Sequence, residues 1–163
     1  MRFTVRDYRS DDFDTLWAID QSCFEPDIAY SRRELQFYLR RPGAFTLVAG
    51  STDEVSDATG PTVLAFVVAE SSRRGMGHII TIDVRAQARR HHIGSALLDA
   101  AEQRLRDAKC HAVHLETAVD NSSALSFYKR HGYDVIKIIP HYYSNGLDAL
   151  LLEKSLLPVP ASI

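Results

Sequence analysis

Val84-Arg85-Ala86-Gln87-Ala88-Arg89-Arg90-His91-His92-Ile93-Gly94-Ser95 is the stretch on which the fold turns. Ahead of it, His78 to Val84 reads as a strand. Behind it, apolar residues return with a helical period at Ile93, Leu97, Ala100, Ala101, Leu105 and Ala108, which predicts the longest helix of the chain, ending near Lys109. A strand end that feeds a helix start through a polar loop is a seat for an anion. The first helical amides have no intrahelical partner and carry the positive end of the helix dipole, while Arg89 and Arg90 add charge and Gly94 admits a ligand close to the backbone. A diphosphate suits such a place; read alone, the same residues are equally a solvated arginine pair before a helix.

Outward from this stretch the pattern is mixed α/β. Residues 2–6 alternate as a strand, and Ser10-Asp11-Asp12 supplies helix-starting acceptors ahead of Phe13, Leu16 and Trp17. Ser31 with Glu34 forms a capping-box pair that opens a helix over 31–40, stopped by Arg41-Pro42-Gly43. Between these helices, Cys23-Phe24-Glu25-Pro26-Asp27 is a loop in which Phe24 is free to pack or to meet a ligand. Residues 44–50 and 62–70 are β-rich and flank a polar stretch, 51–61, with the composition of an exposed hairpin loop. After a turn at 71–77, the strand over 78–84 completes three adjacent antiparallel strands. Downstream, 111–116 alternates as a strand, 121–131 is a helix closed by Gly132, and 133–139 and 147–153 are the last strands.

The chain has 163 residues, 45% hydrophobic and 25% charged, which is enough for one domain with a core of its own. With 19 Lys plus Arg against 21 Asp plus Glu, no global basic field draws in nucleic acid or an anionic membrane. Cys23 and Cys110 are too few for a disulfide scaffold, and no apolar run approaches a membrane span, so a cytoplasmic protein is expected.

Arg89 and Gly94, followed by Ser95-Ala96-Leu97-Leu98, resemble the acetyl-coenzyme A signature of the GNAT superfamily of N-acyltransferases. His92 stands where that signature has its first Gly, so a Cβ replaces bare backbone there and an imidazole is available to donate to phosphate. A second block, Leu115-Glu116-Thr117-Ala118-Val119-Asp120-Asn121 through Phe127-Tyr128 to Gly132-Tyr133, is similar to the family's other half-site. A third, Pro140-His141-Tyr142-Tyr143-Ser144-Asn145-Gly146-Leu147-Asp148-Ala149, resembles the paired-tyrosine hairpin of its protein N-terminal acetyltransferases, including the ribosomal-protein alanine group. The resemblance runs over 3–154. It implies a single-domain GNAT fold over 1–163, with a mixed, mostly antiparallel sheet of about seven strands flanked by about four helices.

The resemblance also implies roles. Acetyl-CoA would be held by the backbone of Ile82, Asp83 and Val84, by the loop Arg89, Arg90, His91, His92, Ile93, Gly94 and Ser95, and by Asn121. Glu116 would be the catalytic carboxylate and Tyr128 the catalytic phenol. Tyr142 and Tyr143 would hold the acceptor backbone, with Phe24 and Glu25 lining the same cleft and Glu25 and Asp27 attracting a cationic N-terminus.

The chemistry of these residue types agrees. An α-amine has a pKa near 7.7–8.0, within reach of a carboxylate base, and a phenol near 10 stays protonated to serve a leaving sulfur. Each residue also has a plainer reading: Glu116 as a salt-bridged surface group, Tyr128 as a core aromatic, Asn121 as a helix cap, Asp83 as an alternative base or a paired structural carboxylate. The expected acceptor is a protein or peptide N-terminus, a ribosomal protein being the family's common bacterial one. A small-molecule amine and a non-catalytic acyl-CoA-binding module are the alternatives. No metal is expected, because His111 and His114 point to opposite faces of a strand and neither they nor His91-His92 have a third ligand in sequence. No nucleic acid or membrane partner is expected, and the chain is a monomer or homodimer.

Overall fold

A computed structural model describes residues 1–53 and 62–158. The expected loop over 51–61 therefore falls mostly outside the described residues. In chain order the elements are β1 (Phe3–Asp7), α1 (Phe13–Cys23), α2 (Arg32–Leu39), β2 (Ala44–Ser51), β3 (Val63–Ser71), β4 (Met76–Val84), α3 (Ile93–Asp107), β5 (Ala112–Ala118), α4 (Ser122–Arg130), β6 (Asp134–Ile139) and β7 (Ala149–Ser155). Short 3-10 turns at Ser10–Asp12 and Ala86–Ala88 lead into α1 and toward α3. The expected Ser31/Glu34 box is formed: Glu34 N donates to Ser31 Oγ at 3.1 Å and Ser31 N to Glu34 Oε2 at 2.7 Å.

The strands form one sheet in the order β1-β2-β3-β4-β5-β7-β6. Every neighbouring pair is antiparallel except β4 and β5, which run parallel. Strand alternation splits the core into two layers. On one face Leu47, Ala49, Val67, Leu115 and Leu152 pack under Leu97, Leu98, Ala101 and Leu105 of α3. On the other, Val48, Phe66 and Val68 meet Leu16 and Ile19 of α1 and Leu35 of α2. The central strand β3 is buried on both faces from Val63 to Ala69, which is why it reads as an unbroken apolar run. Gly77 has a packing reason: a Cβ there would stand 2.7 Å from Leu105 Cδ1, so α3 lies directly on the β4 backbone.

One irregularity positions the site. The β4/β5 ladder holds for only three pairs, from Met76↔Ala112 to His78↔His114. Past His78, β4 stays paired to β3 and β5 to β7, and the two strands diverge. The residues that line the resulting gap, Ile79 to Ile82 and Leu115 to Ala118, are those at the C-terminal ends of two parallel strands. The last strand starts at Ala149, two residues later than expected, because 140–148 is a turn tied by its own side chains: Asp148 Oδ1 accepts from His141 N at 2.9 Å and Asn145 Oδ1 from Leu147 N at 2.9 Å.

Candidate active site

Two cavities open along the gap. One, of about 390 Å3, lies between the 24–30 loop, α2, the diverging strands and the 142–144 turn, with Glu116, Tyr142 and Tyr143 in its walls. The other, of about 370 Å3, lies between Cys23, Val84, Arg89, Gly94 and α4. Phe24, Ile82, Asn121, Ala124 and Tyr128 border both, so the two are halves of one cleft with Tyr128 at the junction. Ser144 Oγ donates to the Asp27 carbonyl at 2.8 Å, joining the turn to the loop across the first half.

The second half has the makings of a diphosphate seat. The N-cap residue of α3, His92, is left-handed (φ 60) and offers the helix no side-chain acceptor, so the first amides of a 15-residue helix keep their hydrogen-bonding capacity for a ligand. Arg90 is also left-handed (φ 65). A Cβ added at Gly94 would meet only ordinary contacts, the nearest Phe127 Cζ at 3.5 Å, so no packing demand of the protein accounts for this glycine, whereas close approach of a ligand does. Arg89 Nε donates to the Val84 carbonyl at 3.2 Å, which anchors its guanidinium at the cleft wall. These residues fit the coenzyme A diphosphate.

Other expected cofactor residues are placed less directly. Arg90 and His91 are exposed, Ile93 is core, and Ser95 Oγ meets His131 Nε2 at 3.0 Å. Asn121 borders the cleft while its Oδ1 caps α4 by accepting from Ala124 N at 3.1 Å, so the cap reading and the cleft position hold together. Asp83 borders neither cavity. Its side chain is fully buried beside Thr81, whose Oγ1 donates to Oδ1, and beside Asp20 of α1, and it is these two neighbours that line the first half. Burial first, and the neighbouring Asp20 second, push the Asp83 carboxyl well above the usual carboxylate range. Phe24 lines both halves; Asp27 lines the first, and Glu25 lies outside its lining.

Glu116 is held by a residue that sequence reasoning missed. His78, on β4, donates from Nε2 to Glu116 Oε2 at 2.8 Å, and its Nδ1 lies 3.6 Å from Glu70 Oε1. Burial alone would raise the Glu116 pKa, but the His78 hydrogen bond and the charges of His78 and His114 outweigh it, and the net shift is downward. Glu116 is therefore a carboxylate throughout the neutral range. Tyr128 is the opposite case, because burial and the Asp83 charge push its phenol far above the usual tyrosine value and it keeps its proton. Tyr142 and Tyr143, edge to face at 5.0 Å, are each pushed up to about 12 by burial first and by neighbours that include Glu116.

The sequence reading paired His111 with His114. In the structure the ring of His114 stacks on His78 at 4.4 Å, and both lie beside Glu116. Only the β4/β5 register reveals this, since His78 and His114 are 36 positions apart and occupy the last shared rung.

The acetyltransferase (GNAT) family profile matches residues 11–133. An N-alpha-acetyltransferase of Sulfurisphaera tokodaii is 40% identical over 81 residues, a match that covers 49% of this chain and spans 48% of that protein's length. An uncharacterized N-acetyltransferase of Methanocaldococcus jannaschii is 32% identical over 151 residues, 92% of this chain and 90% of the other. Among solved structures, Ard1 from Thermoplasma volcanium superposes with a TM-score of 0.83 at 25% identity, covering 97% of this chain and all of that one.

Proposed function

The chain belongs to the acetyltransferase (GNAT) family and is an N-acetyltransferase, and on that premise we propose that it acetylates the α-amino group of a protein or peptide N-terminus by direct transfer from acetyl-CoA. The observation that carries this reading is the cleft itself: a cofactor-sized half and an acceptor half meet at Tyr128, and Glu116 stands in the acceptor half. When bound, acetyl-CoA supplies the acetyl thioester. The α3 amides and Arg89 would hold its diphosphate, and the Ile82–Val84 backbone and Asn121 would flank its arm.

Glu116, ionised because His78 donates to it, takes the proton that the acceptor nitrogen loses as its C–N bond forms, directly or through one water. His78 is a positioning residue: it orients Glu116 and keeps it charged. Tyr128 holds a proton at Oη for the departing sulfur. Tyr142 and Tyr143 take the acceptor's first peptide groups, and the Ser144–Asp27 tie sets the width of the entrance. A ribosomal-protein N-terminus is one acceptor of this class. We place the enzyme in the cytoplasm on the strength of Cys23 and Cys110, both free thiols.

The test is thiol release from acetyl-CoA with short peptides bearing free or blocked N-termini, and with small amines, for the wild type and for Glu116→Gln and Tyr128→Phe. Turnover of free N-termini alone, reduced about 10²–10⁴-fold in both variants, supports the reading. Turnover of small amines in preference to every peptide overturns the acceptor class, and binding of coenzyme A with no turnover of any amine makes the protein a sensing module.

A further inference from the structure

Among the described residues, His78, His114 and Glu116 are the single group of three histidine, cysteine or carboxylate side chains whose ligating atoms converge, all within 4.8 Å of one another. Two strands build it. His78 and His114 face each other on the last shared rung of β4 and β5, and Glu116 follows two residues on, on the same face of β5. We propose that these three residues form a transition-metal site that takes Zn2+ and that zinc bound there is a reversible inhibitor of the enzyme. The inhibitory part rests on the assignment of Glu116 as the base.

Two imidazoles and a carboxylate are a common donor set for zinc, leaving one coordination position open. That position faces the acceptor half of the cleft, since Glu116 is part of its wall. Tetrahedral ligands at ordinary zinc distances stand roughly 3.3 Å apart, so the group closes onto an ion by side-chain rotation without moving the strands. The supporting partner is also that of a metal-binding histidine. Glu70 faces Nδ1 of His78 at 3.6 Å. For zinc to bind, the His78 proton moves from Nε2 to Nδ1, toward Glu70, and Nε2 gives its lone pair to the metal. A neutral imidazole at His114 offers the metal the lone pair of one ring nitrogen. Binding ties up the Glu116 oxygen that would accept the acceptor's proton.

The test measures binding apart from catalysis. Zn2+ is titrated against a chromophoric chelator, and Co2+ is followed by its visible absorption, for the wild type and for His114→Gln, Glu116→Gln, His111→Gln and Cys23→Ser. One equivalent should bind with the spectrum of four-coordinate Co2+. His114→Gln and Glu116→Gln should each weaken binding at least tenfold, and His111→Gln and Cys23→Ser should not. In the acetylation assay Zn2+ should inhibit the wild type, a chelator should restore it, and His114→Gln should need at least tenfold more zinc relative to its own uninhibited rate. Absence of binding, binding that survives His114→Gln, or binding lost in Cys23→Ser overturns the site. Binding at the triad with no inhibition overturns the inhibitory role. Zinc bound at the triad of a protein that acetylates no peptide leaves the metal site standing and refutes the N-terminal reading instead.

Discussion

Glu116 and Asp83 are carboxylates on adjoining strands, and their surroundings drive them in opposite directions. Glu116 is held down by the His78 hydrogen bond despite its burial, whereas Asp83 is raised by burial and by Asp20, and its Oδ2 has no hydrogen-bond partner. His78→Gln removes the imidazole that donates to Glu116 and most of the orientation. The acid limb of the kcat/KM profile should then move to higher pH and kcat should fall, whereas a purely structural role would lower activity without moving the limb. For Asp83 the sign is reversed. A carboxyl raised in the folded state adds stability below the unfolded aspartate value near 3.9 and loses it as pH rises through the folded value. Asp83→Asn keeps the shape, stays neutral and offers a donor to Asp20. It should stabilise the protein at pH 8 and little at pH 3, as thermal unfolding across that range would read. At this scale the sequence exposed Glu116 and Tyr128 because they sit in contiguous patterns. It hid His78, whose only mark is a partner 38 positions away.

The element on which the cleft depends is α3, because its N-terminus borders the cleft at Gly94 and it lies on β4. Its seating rests on Gly77 and Leu105, a pair that the 3.6 period of the helix does not disclose. Gly77→Ala places a Cβ 2.7 Å from Leu105 Cδ1 and should cost about 1–3 kcal/mol by overpacking. Leu105→Ala, at a fully buried position, should cost about 2–5 kcal/mol by leaving a cavity. The double variant should cost less than the two together, since the new methyl enters the space vacated, and a denaturant-unfolding cycle measures that coupling. The expected helices and strands are all present, with ends displaced by one or two residues. The two-residue displacement at the start of β7 arises from Asp148 and Asn145 closing a turn, which apolar periodicity does not register.

As a whole, the molecule is a sheet interrupted once, and the interruption is the site. Ligand that binds only the folded state stabilises it by mass action, so coenzyme A at about 100 times its Kd should add about 2.7 kcal/mol and raise Tm accordingly. Arg89→Ala should shrink that rise with little effect on the unliganded Tm, because its exposed guanidinium makes only a bond to the Val84 carbonyl and a long contact to Cys23 Sγ. Composition, periodicity and short patterns determined by themselves the α/β class, the element order and the GNAT resemblance, because each is a local property of contiguous residues. Only the tertiary structure decided where β4 parts from β5, that Asp83 is buried against Asp20, and that His78, His114 and Glu116 converge. Strand register and the face a side chain takes are fixed by packing between residues far apart in the chain, and no local pattern encodes them.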